Sequence, residues 1–187
     1  HVWQQGMAQA QIQFSLVPVS EEQLNDQQGL GWLAMDTIAK EDVCIAEVTA
    51  ESGRSSLRCL DKALDLAMAG KVDGVLFGPF NKAALTVAGI NAEDEHRYMA
   101  RYLGFDGYHG ELNVLDNLMT TRVTSHIGIK DVAAGITSKS VENAIWLAED
   151  TLKKAGNPRP RIAVAALNPH AGDNGKFGRE EIDILQP

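Results

Sequence analysis

VENAIWLAEDTLKKAGNPRPRIAVAALNPHAGDNGKFGREE, residues 141–181, carries the alternation that decides the fold. Val141, Ala144, Ile145, Ala148 and Leu152 recur at helical spacing, which predicts a helix over 141–155. Lys153 and Lys154 fall in its last turn, where cations suit the dipole, and Gly156 and Pro158 stop it. RIAVAAL, 161–167, is a continuous apolar run of strand length, suited to a strand buried on both faces. A polar, Gly-rich loop follows over 168–178, then a helix start at 179–184. Helix, buried strand, loop and helix in succession define an α/β chain with a largely parallel sheet.

Upstream the same grammar repeats. Leu57, Leu60, Leu64, Ala67 and Met68 share one face of a helix expected over 52–69, stopped by Gly70. A short apolar run at 72–77 reads as a strand ended by Pro79. Asn81 is placed as the N-cap of a helix through Ala88, stopped by Gly89. Residues 93–103 form a further expected helix, closed by Gly104. Strands are expected over 12–19, where Pro18 marks an edge or an end, and over 43–48, 112–118 and 122–125.

Composition restricts the functions. Of 187 residues, 44% are hydrophobic and 22% charged, an ordinary globular balance that argues against disorder. The formal net charge of −8 speaks against nucleic-acid binding, which needs a basic face. No apolar run is long enough to span a membrane, and residues 1–10 lack the basic start and apolar run of a secretory signal. The absence of an initiator Met leads us to expect a chain that begins inside a longer protein. Cys44 and Cys59 are expected to be buried or half-buried free thiols, consistent with the reducing cytoplasm.

In open α/β sheets, ligands bind in loops beyond the carboxyl ends of strands. Three loops qualify: 78–82 with Asn81 and Lys82, 125–131 with His126, and 168–178 with Asn168, His170 and Asp173. His126 and His170 follow two expected strands at the same end, and imidazole nitrogens suit zinc and similar divalent ions. The plainer alternative is that each ring bonds a loop carbonyl. Lys82 sits where the helix dipole disfavours a cation, which points toward an anionic partner. Glu93, Asp94 and Glu95 suit a helix first turn as surface acids, and His96 beside them suits proton transfer or substrate binding. His109, in FDGYHGE, is expected to be a loop histidine. Gly172–Gly178 is not a GxGxxG fingerprint, so motif logic alone shows no nicotinamide site.

Taken together, Gly53–Arg54, AGKVDGVLFGPFNKAALTVAGI at 69–90, TSHIGIKDV at 124–132 and ALNPHAGDNGKFGREEID at 166–183 resemble the PdxA (4-hydroxythreonine-4-phosphate dehydrogenase) family. The resemblance runs over about 53–183. It implies the three-layer α/β/α fold of the isocitrate and isopropylmalate dehydrogenases, incomplete at both ends. Residues 1–187 would then be one partial dehydrogenase domain, lacking the opening strand and the C-terminal third. It further implies a cytoplasmic homodimer with a shared active site, NAD as cofactor, and a divalent metal (zinc, or magnesium, cobalt or manganese). His126 and His170 are the implied metal ligands, with a third histidine beyond this chain. Asn81, Lys82, Glu95 and His96 are the implied substrate-binding residues. The implied activity is oxidation of a secondary alcohol of a hydroxy acid, with decarboxylation, as in pyridoxine biosynthesis.

One stretch departs from the family pattern. Where members acting on 4-hydroxythreonine 4-phosphate carry Gly-His-Thr-Glu, alignment on the following Tyr-Met-Ala places Asp94, Glu95, His96 and Arg97. A carboxylate at 95 repels an anionic substrate unless a cation pairs with it. This opens an alternative: a related dehydrogenase of threonate or erythronate 4-phosphate, or of the terephthalate cis-dihydrodiol. Two further readings stay open, a non-catalytic dimerising fragment and a small-molecule binding module with a degenerate site.

Overall fold

Helix α1 (Val2–Ala10) opens the chain and buries none of its residues. The computed structural model describes residues 1–90 and 94–187. They divide into two units, His1–Phe105 and Asp106–Pro187.

In the first unit, β1 (Val17–Pro18) pairs in parallel with β2 (Gly31–Trp32), in the register Val17 to Gly31 and Pro18 to Trp32. The strand expected over 12–19 shrinks to this pair. Val17 and Val19 donate to Leu30 and Trp32 carbonyls at 3.1 and 3.0 Å, but Pro18 between them has no N–H to give. The strand expected over 43–48 is absent, because Ala46 adopts a left-handed turn at φ 63°.

Helix α2 (Ala50–Met68) forms as expected. The Thr49 hydroxyl accepts the Ser52 N–H at 3.1 Å, and Gly70 (φ 65°) lets Lys71 N–H reach back to the Leu66 carbonyl at 2.9 Å. Leu57, Leu60 and Leu64 are buried on one face. Met68, expected on that face, is exposed, and Leu66 is buried instead. Cys44 and Cys59 are free but exposed, contrary to the expectation of burial. Residues 72–77 stay unladdered and Leu76 is fully exposed, since no strand among the described residues offers them partners.

Helix α3 (Lys82–Val87) begins at the expected cap, Asn81, whose Oδ1 accepts the Ala84 N–H at 3.1 Å. It lies so close to α2 that a Cβ on Gly53 would stand 2.3 Å from the Ala84 carbonyl oxygen. Helix α4 (Glu95–Tyr102) is capped by Asp94, whose Oδ1 accepts the Arg97 N–H at 2.9 Å. Glu93, the expected helix start, lies outside the described residues. Phe80, Leu85, Ile90, Tyr98 and Met99 pack against the α2 leucines.

Two rungs fasten α4 to α2. The Tyr98 hydroxyl donates to Asp61 at 2.6 Å, and the Tyr102 hydroxyl donates to Asp65 at 3.0 Å. Burial, and then the bond to Asp61, holds the Tyr98 phenol far above its usual range. The folded phenol therefore stays neutral while an unfolded one ionises near pH ~10, so this contribution is complete below that pH and is lost as pH rises beyond it. Tyr98→Phe is expected to cost about 1 kcal/mol in urea unfolding at pH 7. An unchanged midpoint would dismiss the rung as a stabiliser.

In the second unit, β3 (Asn113–Leu115) and β4 (Leu118–Thr120) form an antiparallel hairpin, with Asn113 opposite Thr120. The single strand expected over 112–118 is interrupted by its turn, where Asp116 takes φ 48°. Residues 122–125 carry no ladder. After short α5 (Val132–Gly135), α6 (Ser138–Lys154) matches the expected helix closely. Thr137 and Ser140 form a reciprocal capping box, and Asn157 N–H closes the far end on the Leu152 carbonyl at 2.9 Å. Val141 and Ala144 are buried, while Ile145 borders a groove shared with Ile136, Ile162 and Val164.

RIAVAAL is not the doubly buried strand its composition predicts. It is extended, with Ile162 and Val164 38% and 50% exposed. Burial on both faces requires a sheet with packed layers above and below it, and no described residue pairs with this segment to make one. The helix expected over 179–184 is a single π-helical turn at Glu181–Leu185. Parallel pairing among the described residues is thus confined to β1 and β2. The chain mixes helices and strands, and among the described residues no helix is long and apolar enough to cross a membrane.

Candidate functional site

Four of the sequence-derived site residues gather in the first unit. Asn81 is spent on capping α3, and Lys82, the first residue of α3, turns its ammonium to within 3.7 Å of Glu95 Oε2. Lys82 and Glu95, but not Asn81, border a cavity of about 180 Å³ between α2, α3 and α4. Leu57, Leu60, Phe80 and Leu85 supply its apolar side, and Lys82, Thr86, Asp94 and Glu95 its polar side. His96 stands beside it, with Nδ1 3.2 Å from Asp94 Oδ1.

Asp94 is not the surface acid that a helix first turn suggests. It is only 4% exposed, because its carboxylate is folded under the first turn of α4 as a cap. Its Oδ2 accepts no hydrogen bond among the described residues, and Arg97 Nε is 3.6 Å away. The signal was present in sequence: Asp before a helical segment is a strong N-cap pattern. On the polar side of the cavity Lys82 faces Glu95 and Arg97 faces Asp94, so each cation already has a carboxylate beside it. The carboxylate oxygens suit hydroxyl or ammonium donors better than a bare anion.

His126 and His170 both lie in exposed turns of the second unit. No hydrogen bond or ion pair links them, and no set of three metal-ligating side chains gathers around either one among the described residues. Both have a left-handed backbone, at φ 56° and 53°. That conformation costs a non-glycine residue about 1 kcal/mol or more, and such cost is often stored at functional sites. Neither ring is committed to a hydrogen bond among the described residues, so the alternative of a ring bonded to a loop carbonyl does not describe them. It does describe His109, whose Nδ1 is 2.9 Å from the Gly107 carbonyl. Two uncommitted imidazoles are the right donor type for zinc, as an incomplete set.

The His170 turn has a brace that no local pattern announces. The Asn168 N–H donates to Glu181 Oε1 at 2.6 Å, across 13 residues. Asn168 Nδ2 donates to Glu180 and Glu181 carboxylates at 3.1 and 3.2 Å. Glu181 is 3% exposed, and the Asn168 N–H holds its carboxyl below the usual glutamate range.

These features define a mixed α/β protein with a charged cavity beside α3 and α4 and a histidine-bearing, braced loop. A family model described as "Pyridoxal phosphate biosynthetic protein PdxA" matches residues 1–187. The chain belongs to the PdxA family. It is 49% identical over 142 residues to the Pseudomonas aeruginosa protein named "Putative 4-hydroxythreonine-4-phosphate dehydrogenase 2", covering 76% of this chain and 42% of that one. It is 38% identical over 141 residues to D-threonate 4-phosphate dehydrogenase of Salmonella typhimurium, covering 75% and 43%. The crystal structure of 4-hydroxythreonine-4-phosphate dehydrogenase from Klebsiella pneumoniae superposes with a TM-score of 0.86 at 27% identity, over 98% of this chain and 56% of that one. The chain thus spans about half the length of the relatives it matches.

Proposed function

We propose that this chain is part of an NAD- and divalent-metal-dependent dehydrogenase that oxidises a secondary alcohol of a hydroxy acid, with decarboxylation, as a cytoplasmic homodimer with a shared active site. The full protein would have the three-layer α/β/α architecture. The observation that carries the reading is the pair of histidines, 126 and 170, each held in a left-handed turn with its ring uncommitted. Both fall in the motifs that resemble the family.

His126 and His170 would hold the metal, with a third ligand from outside this chain. When bound, the metal supplies Lewis-acid polarisation of the reacting hydroxyl and of the charge that develops during decarboxylation. The other assigned residues bind and select. Asn81 fixes the start of α3 and so the place of Lys82, while Glu95 and His96 face the substrate from α4.

The identity of the substrate turns on Glu95. Its carboxylate lies 3.7 Å from the Lys82 ammonium and offsets the cation that a phosphate would otherwise find. That favours a substrate that turns hydroxyl or ammonium donors toward Glu95 and its phosphate elsewhere, an arrangement open both to the 4-hydroxythreonine 4-phosphate type and to the threonate or erythronate 4-phosphate alternative. Glu95→Gln frees Lys82. It should lower KM for a substrate whose phosphate approaches Lys82 roughly threefold, the yield of a partly exposed ion pair of ~0.7 kcal/mol. The proposal as a whole is tested by following NADH absorbance with the metal-loaded full-length protein against hydroxythreonine phosphate, threonate and erythronate phosphates, and a cyclic cis-dihydrodiol. No turnover on any of them, with metal and NAD both bound, would favour the binding-module reading instead.

A further inference from the structure

We propose that Glu181 is a positioning residue: its buried carboxylate clamps the base of the 168–178 loop and thereby sets the backbone conformation of His170. The inference rests on the reading of His170 as a ligand for its functional meaning, but the clamp itself stands on geometry alone.

The loop is costly to hold. His170, Ala171, Asp173 and Asn174 all have positive φ, at 53°, 53°, 47° and 55°. Four non-glycine residues in the left-handed region within five positions do not persist without surrounding restraint. Weak internal turns supply part of it: Asp173 N–H to the His170 carbonyl at 3.2 Å, and Gly175 N–H to Gly172 at 3.0 Å. The long-range tie is Glu181. It receives the Asn168 backbone N–H at 2.6 Å and the Asn168 side-chain amide at 3.2 Å, two residues before His170.

The carboxylate also borders the loop from beneath. A Cβ on Gly172, two residues after His170, would stand 3.0 Å from Glu181 Oε2 and 2.8 Å from the Gly178 carbonyl. Gly172 itself has φ 81°, so the approach depends on glycine twice over. Glu181 therefore grips the chain on both sides of His170. A carboxylate at 3% exposure with its charge directed at backbone donors is a brace rather than a surface acid. Its neighbour Glu180, which accepts from the Asn168 side chain but not from its backbone N–H, is the natural control.

The test reads His170 directly. The intraresidue NOE between the amide and α protons, measured by NMR on labelled protein together with their three-bond coupling, is strong at φ near +53° and weaker at ordinary negative values. In wild type, and in Glu180→Ala, His170 should report the left-handed value. In Glu181→Ala it should shift toward a negative-φ average while circular dichroism shows the helices intact. Glu181→Gln keeps an acceptor for the Asn168 N–H and should hold most of the wild-type value; Glu181→Met, which keeps the volume without an acceptor, carries the comparison if the Ala variant does not fold. A folded Glu181→Ala or Glu181→Met protein with His170 unmoved, or an Ala-like shift in Glu180→Ala alone, would overturn the proposal. Titration of the same samples with Co²⁺, read by its visible absorption, separates the two claims. Loss of the coupling with no Co²⁺ bound in wild type removes the ligand reading and leaves the clamp. Co²⁺ bound at His170 with the coupling indifferent to Glu181 does the reverse. If both claims hold, Co²⁺ affinity should fall about tenfold in Glu181→Ala, the lower end of the effect of losing a group that orients a metal ligand.

Discussion

His170→Ala should abolish metal loading and lower kcat/KM for NAD reduction by at least ~10³-fold. The metal is asked to supply several kcal/mol of charge stabilisation, and each ~1.4 kcal/mol is a decade of rate. The fold should survive, because the ring is exposed and makes no hydrogen bond among the described residues. One complication is conformational: Ala fits the left-handed turn at φ 53° less well than His, so His170→Asn is the cleaner companion, since Asn tolerates that region. Metal content by atomic absorption and initial rates of NADH formation check the pair. Both variants should be empty and inactive, and His126→Ala should match them. A metal-replete, active His170→Asn protein would remove the ligand assignment and the functional proposal with it.

Gly53→Ala should destabilise the protein by about 2 kcal/mol, although alanine is the better helix former. Two effects oppose each other. Replacing an interior helix glycine gains roughly 0.5–1 kcal/mol. Against that, the new methyl would stand 2.3 Å from the Ala84 carbonyl oxygen and 2.7 Å from its carbon. Backbone cannot rotate away as a side chain can, and overpacking of this kind costs ~1–3 kcal/mol or more. Nor is α3 free to retreat, because Asn81 caps it and Leu85 is packed against the α2 leucines. The clash should dominate. Urea unfolding followed by circular dichroism measures the balance. A variant as stable as wild type would mean that α2 and α3 are less closely fixed than the Gly53 contact implies.

What could be read from the sequence divides along physical lines. Helices α2, α3, α4 and α6 were legible because their instructions are local: Asn81 and Gly70 act within a turn or two, and the α2 and α6 stripes repeat every three or four residues; α1, which buries nothing, carried no such stripe and was not expected. The strands were not, because a strand is made by its neighbour. RIAVAAL has every compositional mark of a buried strand, yet among the described residues it has no partner and stays exposed. Pro18 and Ala46 cut two more expected strands short. At the candidate site, Lys82 and Glu95 were named from sequence, and the structure brings them together. The burial of Asp94 and the reach of Glu181 to Asn168 were missed. The first was masked by the habit of acids in helix first turns, the second by 13 intervening residues.

Helix α6 differs from the rest of its unit in how little it asks of other segments. Its start is written by Thr137 and Ser140, and its end by Lys153, Gly156 and Asn157. Glu149–Lys153 and Asp150–Lys154 pair along its side at 2.8 and 2.7 Å in the favourable acid-first order. Such a segment has low contact order, so its ordering belongs to the microsecond regime of helix formation rather than to the slower search for distant partners. During refolding, α6 should therefore be the template onto which the slower, strand-poor remainder of the unit condenses.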